Sequence, residues 1–190
     1  MAHTTLGITG ATGRIGGAVS RRLEERGVAH RLLVCSPHRV ASHVAAANGL
    51  LDAATMDFAD PDRVLRGPAG DGRVAAVARA DVVDAALAVL FDPRGHERAA
   101  YTLTGPSALT LDEMARIMTR VTGQDHRYEP ETLDEARASR AGHDPEPWQV
   151  GGWLSTDTAI ASGELSRVTN DVETLTGHAP RSLEDVLRGA

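Results

Sequence analysis

The 190-residue sequence contains no lysine; all 20 of its basic residues are arginine. That absence excludes a Schiff-base enzyme, a pyridoxal-phosphate anchor and a P-loop lysine. A catalytic tyrosine–lysine pair is excluded with them, so neither Tyr101 nor Tyr128 can act in one. Against 26 acidic residues the arginines leave a formal charge of −6, and no basic run gathers them. Neither nucleic acid nor an anionic membrane is therefore an expected partner. Cysteine is almost absent as well. The lone Cys35 rules out an internal disulfide and a cysteine zinc cage, which suits a reducing cytoplasm. No apolar run reaches membrane-spanning length, and Met1 to Thr5 does not read as a signal peptide, so a soluble cytoplasmic protein is expected. Among the histidines, His38 and His43 are five apart and the others lack neighbouring ligands, so no metal site is predicted.

Aromatic residues make up 3% of the chain, and alanine dominates the apolar share. Close helix–helix and helix–sheet contacts follow from that. The hydrophobic content of 42% and charged content of 24% are those of a soluble globular protein. The length allows a real core, in one domain with a small lobe.

The pattern at the N-terminus is α/β. A short apolar run, Thr4 to Thr9, ends at Gly10; a helical pattern opens at Gly13, with Ile15, Val19 and Leu23 four apart and Gly27 as its stop. Arg31 to Cys35 reads as a second strand, Ser36-Pro37 as the start of a second helix, and a third strand leads to Met56-Asp57-Phe58. Strand, helix, strand, helix, strand in this order predicts a doubly wound parallel sheet.

The joint between the first strand and helix carries the chemistry. Thr9-Gly10-Ala11-Thr12-Gly13-Arg14-Ile15-Gly16 sets three glycines three apart. The first permits a tight turn, the second lets backbone approach a pyrophosphate, and the third allows close helix–strand packing. Free amides and the dipole at the helix start then favour phosphate. Gly10, Thr12, Gly13, Arg14, Ile15 and Gly16 are the candidate dinucleotide residues. After the second strand no acid stands ready for the ribose hydroxyls of NAD. Ser36 and Arg39 can instead take a 2′-phosphate, which favours NADP over NAD, although Arg39 fits a solvated helix position too. Asp57 and Phe58 can bracket the adenine, and Phe58 also fits a core position.

Further along, Asp81 to Leu90 reads as a buried helix, Asp92 to His96 as a turn and Ala100 to Thr104 as a strand. Thr110, Thr132 and Ser182 each precede a carboxylate by three residues, as in a capping box, the third more loosely because it uses Asp185. Leu111, Met114, Met118 and Val121 form a core stripe. Glu129 to Trp153 is rich in proline and glycine and reads as irregular beyond a weak helix. Trp148 and Trp153 there can wall a flat substrate or plug the core. His143 and Asp144 are candidate acid and base.

The glycine turn with Gly17, the Asp57-Phe58 turn, Gly67-Pro-Ala-Gly-Asp-Gly-Arg73, Ala78 to Asp84, Tyr101 to Pro106 and Asp171 to Gly177 together resemble the atypical short-chain dehydrogenases. The similar group is the NmrA-like and NAD(P)H:quinone-oxidoreductase-like proteins. The resemblance implies a Rossmann-like sheet with a mainly helical C-terminal lobe, a dinucleotide-binding half over 1–65 and the remainder over 66–190. It implies an NAD(P)-dependent oxidoreductase for a quinone or related carbonyl compound, with NADP or NAD as cofactor. A non-catalytic NAD(P)-binding regulator and a repurposed non-redox enzyme of secondary metabolism are the alternatives. Two departures stand out: Cys35 replaces the usual arginine, and between Leu65 and Arg66 the family carries roughly a third of its full length. Such a truncated Rossmann-like sheet leaves the first strand with an unpaired edge. Arg73 to Val77, Ala100 to Leu103 or a second subunit is expected to cover it, with a homodimer preferred.

Overall fold

A computed structural model describes residues 6–11, 13–33, 63–141 and 147–189. The chain divides into two compact units, residues 1–52 with 79–100, and residues 53–78 with 101–190. No helix among the described residues is long and apolar enough to cross a membrane.

In the first unit, β1 (Leu6–Thr9) and β2 (His30–Leu33) pair in parallel, joined by α1 (Arg14–Glu25). Gly27, with φ of +68°, turns the chain out of the helix where the sequence places its stop. The α1 face that packs inward carries Val19 and Leu23, which meet Ile8 and Ala11. Ile15, expected in that stripe, is 40% exposed; Ala18 takes its place against the core. The second helix, α2 (Arg79–Phe91), adds Val83 and Leu87 to the same cluster, and a 3-10 turn (Pro93–His96) follows it. A salt bridge from Arg22 to Asp84 at 3.2 Å and the Arg26 guanidinium over the Phe91 ring at 5.2 Å join α1 to α2. Buried Ser20 meets Nε2 of His30 at 2.8 Å, while His30 Nδ1 lies 2.9 Å from the Val28 carbonyl, tying α1 to β2.

The second unit also rests on a parallel pair, β3 (Val64–Gly67) with β4 (Arg127–Pro130). Its helices are α3 (Leu111–Thr122), α4 (Leu133–Ala141), α5 (Pro147–Ala161), α6 (Asp171–Thr176) and α7 (Leu183–Leu187). In the α3 stripe Val121 is only half-buried, while Leu111, Met114 and Met118 are buried in the core with Leu65 and Ile160. Each contributes about 1.5–3 kcal/mol of apolar burial. All three capping pairs form. Thr110 and Glu113 exchange bonds of 2.9 and 3.1 Å, and Thr132 with Glu135 does likewise at 2.8 and 3.3 Å. The looser Ser182–Asp185 pair closes too, because the shorter Asp side chain still reaches the Ser182 amide at 2.9 Å.

Four expectations are corrected. Ala100 to Thr104 is not a strand. Its backbone runs beside residues 169–171, where the Thr102 amide donates to Asp171 at 2.6 Å and the Thr169 hydroxyl donates to the Thr102 carbonyl. Arg73 to Val77 forms no strand either, only an antiparallel bridge of Val74 with Leu109. The pair β3–β4 arises where a junction and an irregular stretch were expected. Its outward residues are held across the ladder by Arg66 and Glu129 at 2.7 Å. Lastly, residues 147–161 are one helix despite Gly151 and Gly152. Pro147 suits the first helical position, and buried Leu154 and Ile160 outweigh the glycines.

Candidate functional site

The turn between β1 and α1 is built from backbone. Gly10 adopts a φ of +64°, which a side chain would resist, and its carbonyl accepts the Gly13 amide at 2.8 Å. Gly13 is the N-cap of α1; it offers no side-chain cap, and no acid occupies the first turn. The positive end of the helix therefore meets no side-chain carboxylate of its own first turn, an arrangement that attracts anions. Beneath it the packing is tight. A Cβ on Gly16 would lie 2.6 Å from the Gly10 carbonyl carbon and 2.8 Å from the Thr9 oxygen. One on Gly13 would lie 3.2 Å from the Gly10 oxygen. Ala11 is buried, while Gly10, Gly13, Arg14 and Ile15 are exposed. The turn is thus locked below and open above.

Gly10, Gly13, Arg14, Ile15 and Gly16 come together at this turn. Thr12, Ser36, Arg39, Asp57, Phe58, His143 and Asp144 lie outside the described residues. Trp148 and Trp153 belong to the second unit, on α5, 75% and 43% exposed. They stand five residues apart, which turns them to different sides of the helix.

The second unit holds two features that sequence reading missed. Arg140 is a nearly buried cation between two acids: it donates to Glu131 at 3.0 Å and to Asp157 at 3.1 Å. It also reaches the carbonyls of Ala136 and Arg66. Burial pushes the Asp157 carboxyl above its ordinary range, opposed by Arg140 and assisted by Glu131. The Asp157 carboxylate fills the space beside Gly67, 3.0 Å from where a Cβ would stand. The Tyr128 hydroxyl donates to the Gly67 carbonyl at 2.8 Å, and burial holds that phenol above its usual range. The other feature is a cleft of about 480 Å³ between α4 and α5, whose lining includes Leu133, Arg137, Val150, Leu154, Ser155 and Thr158. Neither tryptophan lines it. The partners in both features are far apart in sequence, and the one local hint was the helix start at Thr132.

No family model matches the sequence. Curated relatives do. A (4-alkanoyl-5-oxo-2,5-dihydrofuran-3-yl)methyl phosphate reductase from Streptomyces griseus is 34% identical over 122 residues, covering 64% of this chain and 43% of that protein. Agroclavine dehydrogenase from Claviceps fusiformis is 30% identical over 117 residues, covering 62% and 40%. The chain thus spans about two-fifths of the length of these relatives. Among solved structures, the NADPH-dependent quinone oxidoreductase of Escherichia coli in complex with NADPH superposes with a TM-score of 0.73 at 19% identity, over 97% of this chain and 99% of that one. That likeness establishes a Rossmann-like α/β fold.

Proposed function

We propose that the chain is an NAD(P)-dependent oxidoreductase of the atypical short-chain dehydrogenases, of the NmrA-like and NAD(P)H:quinone-oxidoreductase-like kind, acting on a quinone or related carbonyl compound; the reductase and dehydrogenase relatives and the Rossmann-like fold support this reading. The observation that carries the proposal is the β1–α1 turn, where Gly16 lets the helix press on Gly10 and the first amides stay clear of acids. The site fits a dinucleotide: Gly13 is exposed at the start of a helix whose first turn carries no acid, which leaves the helix start open to a pyrophosphate. Gly10 and Gly13 would approach the diphosphate, with Thr12, Arg14 and Ile15 beside them. Ser36 and Arg39 would meet the adenosine ribose, preferring its 2′-phosphate and hence NADP. Asp57 and Phe58 would flank the adenine. The nicotinamide supplies a hydride when bound; the protein supplies orientation. Trp148 and Trp153 are proposed to touch the substrate, and His143 and Asp144 remain candidates for moving its proton. Neither tyrosine has a lysine to work with, so orientation rather than a tyrosine–lysine pair carries the reaction.

A homodimer is part of the reading. Among the described residues β1 pairs only with β2, and a strand edge left open is normally covered. Sedimentation as a monomer, with β1 amides exchanging freely, would sink it. The lone Cys35 supports a reducing cytoplasm as its location.

One observation favours a second reading, a nucleotide-binding regulator without catalysis. The matched stretch covers 43% of the reductase relative, and binding needs less of the fold than turnover does. Titration with NADPH, NADH and ADP-ribose, followed by the nicotinamide absorbance with a simple quinone, separates the two. Binding with turnover supports the oxidoreductase, and binding without it supports the regulator. Substituting Gly13 by leucine abolishes binding under either reading; retained affinity would overturn the phosphate-turn assignment.

A further inference from the structure

We propose that the cleft between α4 and α5 binds a small anionic amphiphile, an apolar chain or ring ending in one carboxylate. At about 480 Å³ it has the size of a small-molecule site. Its apolar wall is Leu133, Val150 and Leu154. Leu154 is buried, whereas Leu133 leaves 42% of its surface in solvent, apolar area that a ligand would cover. Arg137 selects the charge. The Ser155 and Thr158 hydroxyls already donate to the Gly152 and Ser155 carbonyls at 2.8 and 3.1 Å, which leaves the guanidinium as the side-chain donor of the lining. Arg137 is the cation of the lining. A ligand oxygen that carries charge answers it best, because a guanidinium grips a carboxylate through two parallel bonds.

Arg137 now donates to Asp134 at 2.8 Å, but Asp134 is 95% exposed and the pair is three residues apart on one helix. Such a pair holds weakly in water. A carboxylate that also buries its apolar body can displace it. The neighbouring acids are already engaged: Glu131 and Asp157 by Arg140, and Glu135 by the Thr132 cap. Every residue of the site lies in the second unit, so the proposal stands apart from the dinucleotide reading.

The test uses the full chain without nucleotide. Octanoate and octanol are titrated by calorimetry and by the emission of Trp148 and Trp153, the two tryptophans on α5. Saturable octanoate binding is expected, with octanol weaker by about tenfold because the charge-assisted bond is missing. Arg137→Gln should bring octanoate down to the octanol level and leave octanol unchanged. Ser155→Phe, which fills the cleft, should abolish both. Circular dichroism checks the fold of each variant, and Arg137→Gln, an exposed change, keeps the test decisive if Ser155→Phe misfolds. Equal affinity for octanoate and octanol, native octanoate affinity in Arg137→Gln, or no saturable binding at all would overturn the proposal. NADPH titration of the same samples is read separately, so failure here leaves the dinucleotide site intact.

Discussion

Replacing Gly16 by alanine sets two effects of known size against each other. In the interior of a helix, alanine is favoured over glycine by about 1 kcal/mol. At this position the added carbon would stand 2.6 Å from the Gly10 carbonyl carbon and 2.8 Å from the Thr9 oxygen. Ordinary contact begins near 3.4 Å, so the helix must back away by most of an ångström. The atoms in the way are backbone, which cannot swing aside like the end of a side chain. Overpacking of this kind costs about 1–3 kcal/mol. The steric term wins, and Gly16→Ala is expected to lose about 1–2 kcal/mol net. Gly151→Ala is the control. It also lies within a helix, but no atom stands within 4 Å of the added carbon, so a gain of about 0.5–1 kcal/mol is expected. Urea denaturation followed by circular dichroism reads both, a loss of that size lowering the midpoint by roughly 0.5–1 M. The same displacement moves the turn, so NADPH affinity should fall at least about tenfold in Gly16→Ala. A Gly16→Ala protein as stable as Gly151→Ala would refute the close packing of α1 on the end of β1.

Other outcomes follow from the second unit. Arg140→Met leaves Glu131 and Asp157 facing each other without a cation, at 11% and 17% side-chain exposure. A loss of about 3 kcal/mol is expected by thermal or urea unfolding, and a loss under 1 kcal/mol would count against the triad as a clamp. Acid should weaken the same unit. Glu113 and Glu135 are held below the ordinary carboxyl value of 4.5 chiefly by the amides of Thr110 and Thr132, and Glu184 by Arg120. Folding therefore favours their charged forms. Their contribution is full above pH 4.5 and disappears as pH falls through the lower folded values. Asp157 runs the other way, since its raised value makes the folded chain hold a proton more readily as pH falls. Glu113→Gln, which removes the titrating carboxyl, should flatten part of the acid slope, whereas Thr110→Ala keeps the backbone amide that holds Glu113 and should cost about 1 kcal/mol at neutral pH through the lost cap hydroxyl; an unchanged slope in Glu113→Gln would count against the capping box.

The glycine turn was legible because its constraints are local. A left-handed Gly10, an N-cap at Gly13 and a helix pressed on the strand at Gly16 all lie within seven residues. The capping pairs were legible for the same reason, since Thr110 and Glu113 meet whatever surrounds them. The strands β3 and β4 were not. Each is four residues long, and Arg66 and Glu129 make sense only once the two are paired. The helix at Pro147–Ala161 was hidden by its glycines and prolines, because what holds it comes from elsewhere: Leu154 and Ile160 in the core, and Asp157 on Arg140. The Arg140 cluster joins residues from β3, α4 and α5 that no spacing rule connects.

The β1–α1 turn is proposed to take the diphosphate of a nicotinamide dinucleotide. Calorimetric titration of NADPH into the native chain and into Gly13→Leu tests it most directly, with ADP-ribose as the companion ligand. Saturable binding of both ligands to the native chain, lost in a Gly13→Leu protein whose circular dichroism is unchanged, is the predicted result. Native-like affinity in Gly13→Leu, or no binding of either ligand to the native chain, would contradict it.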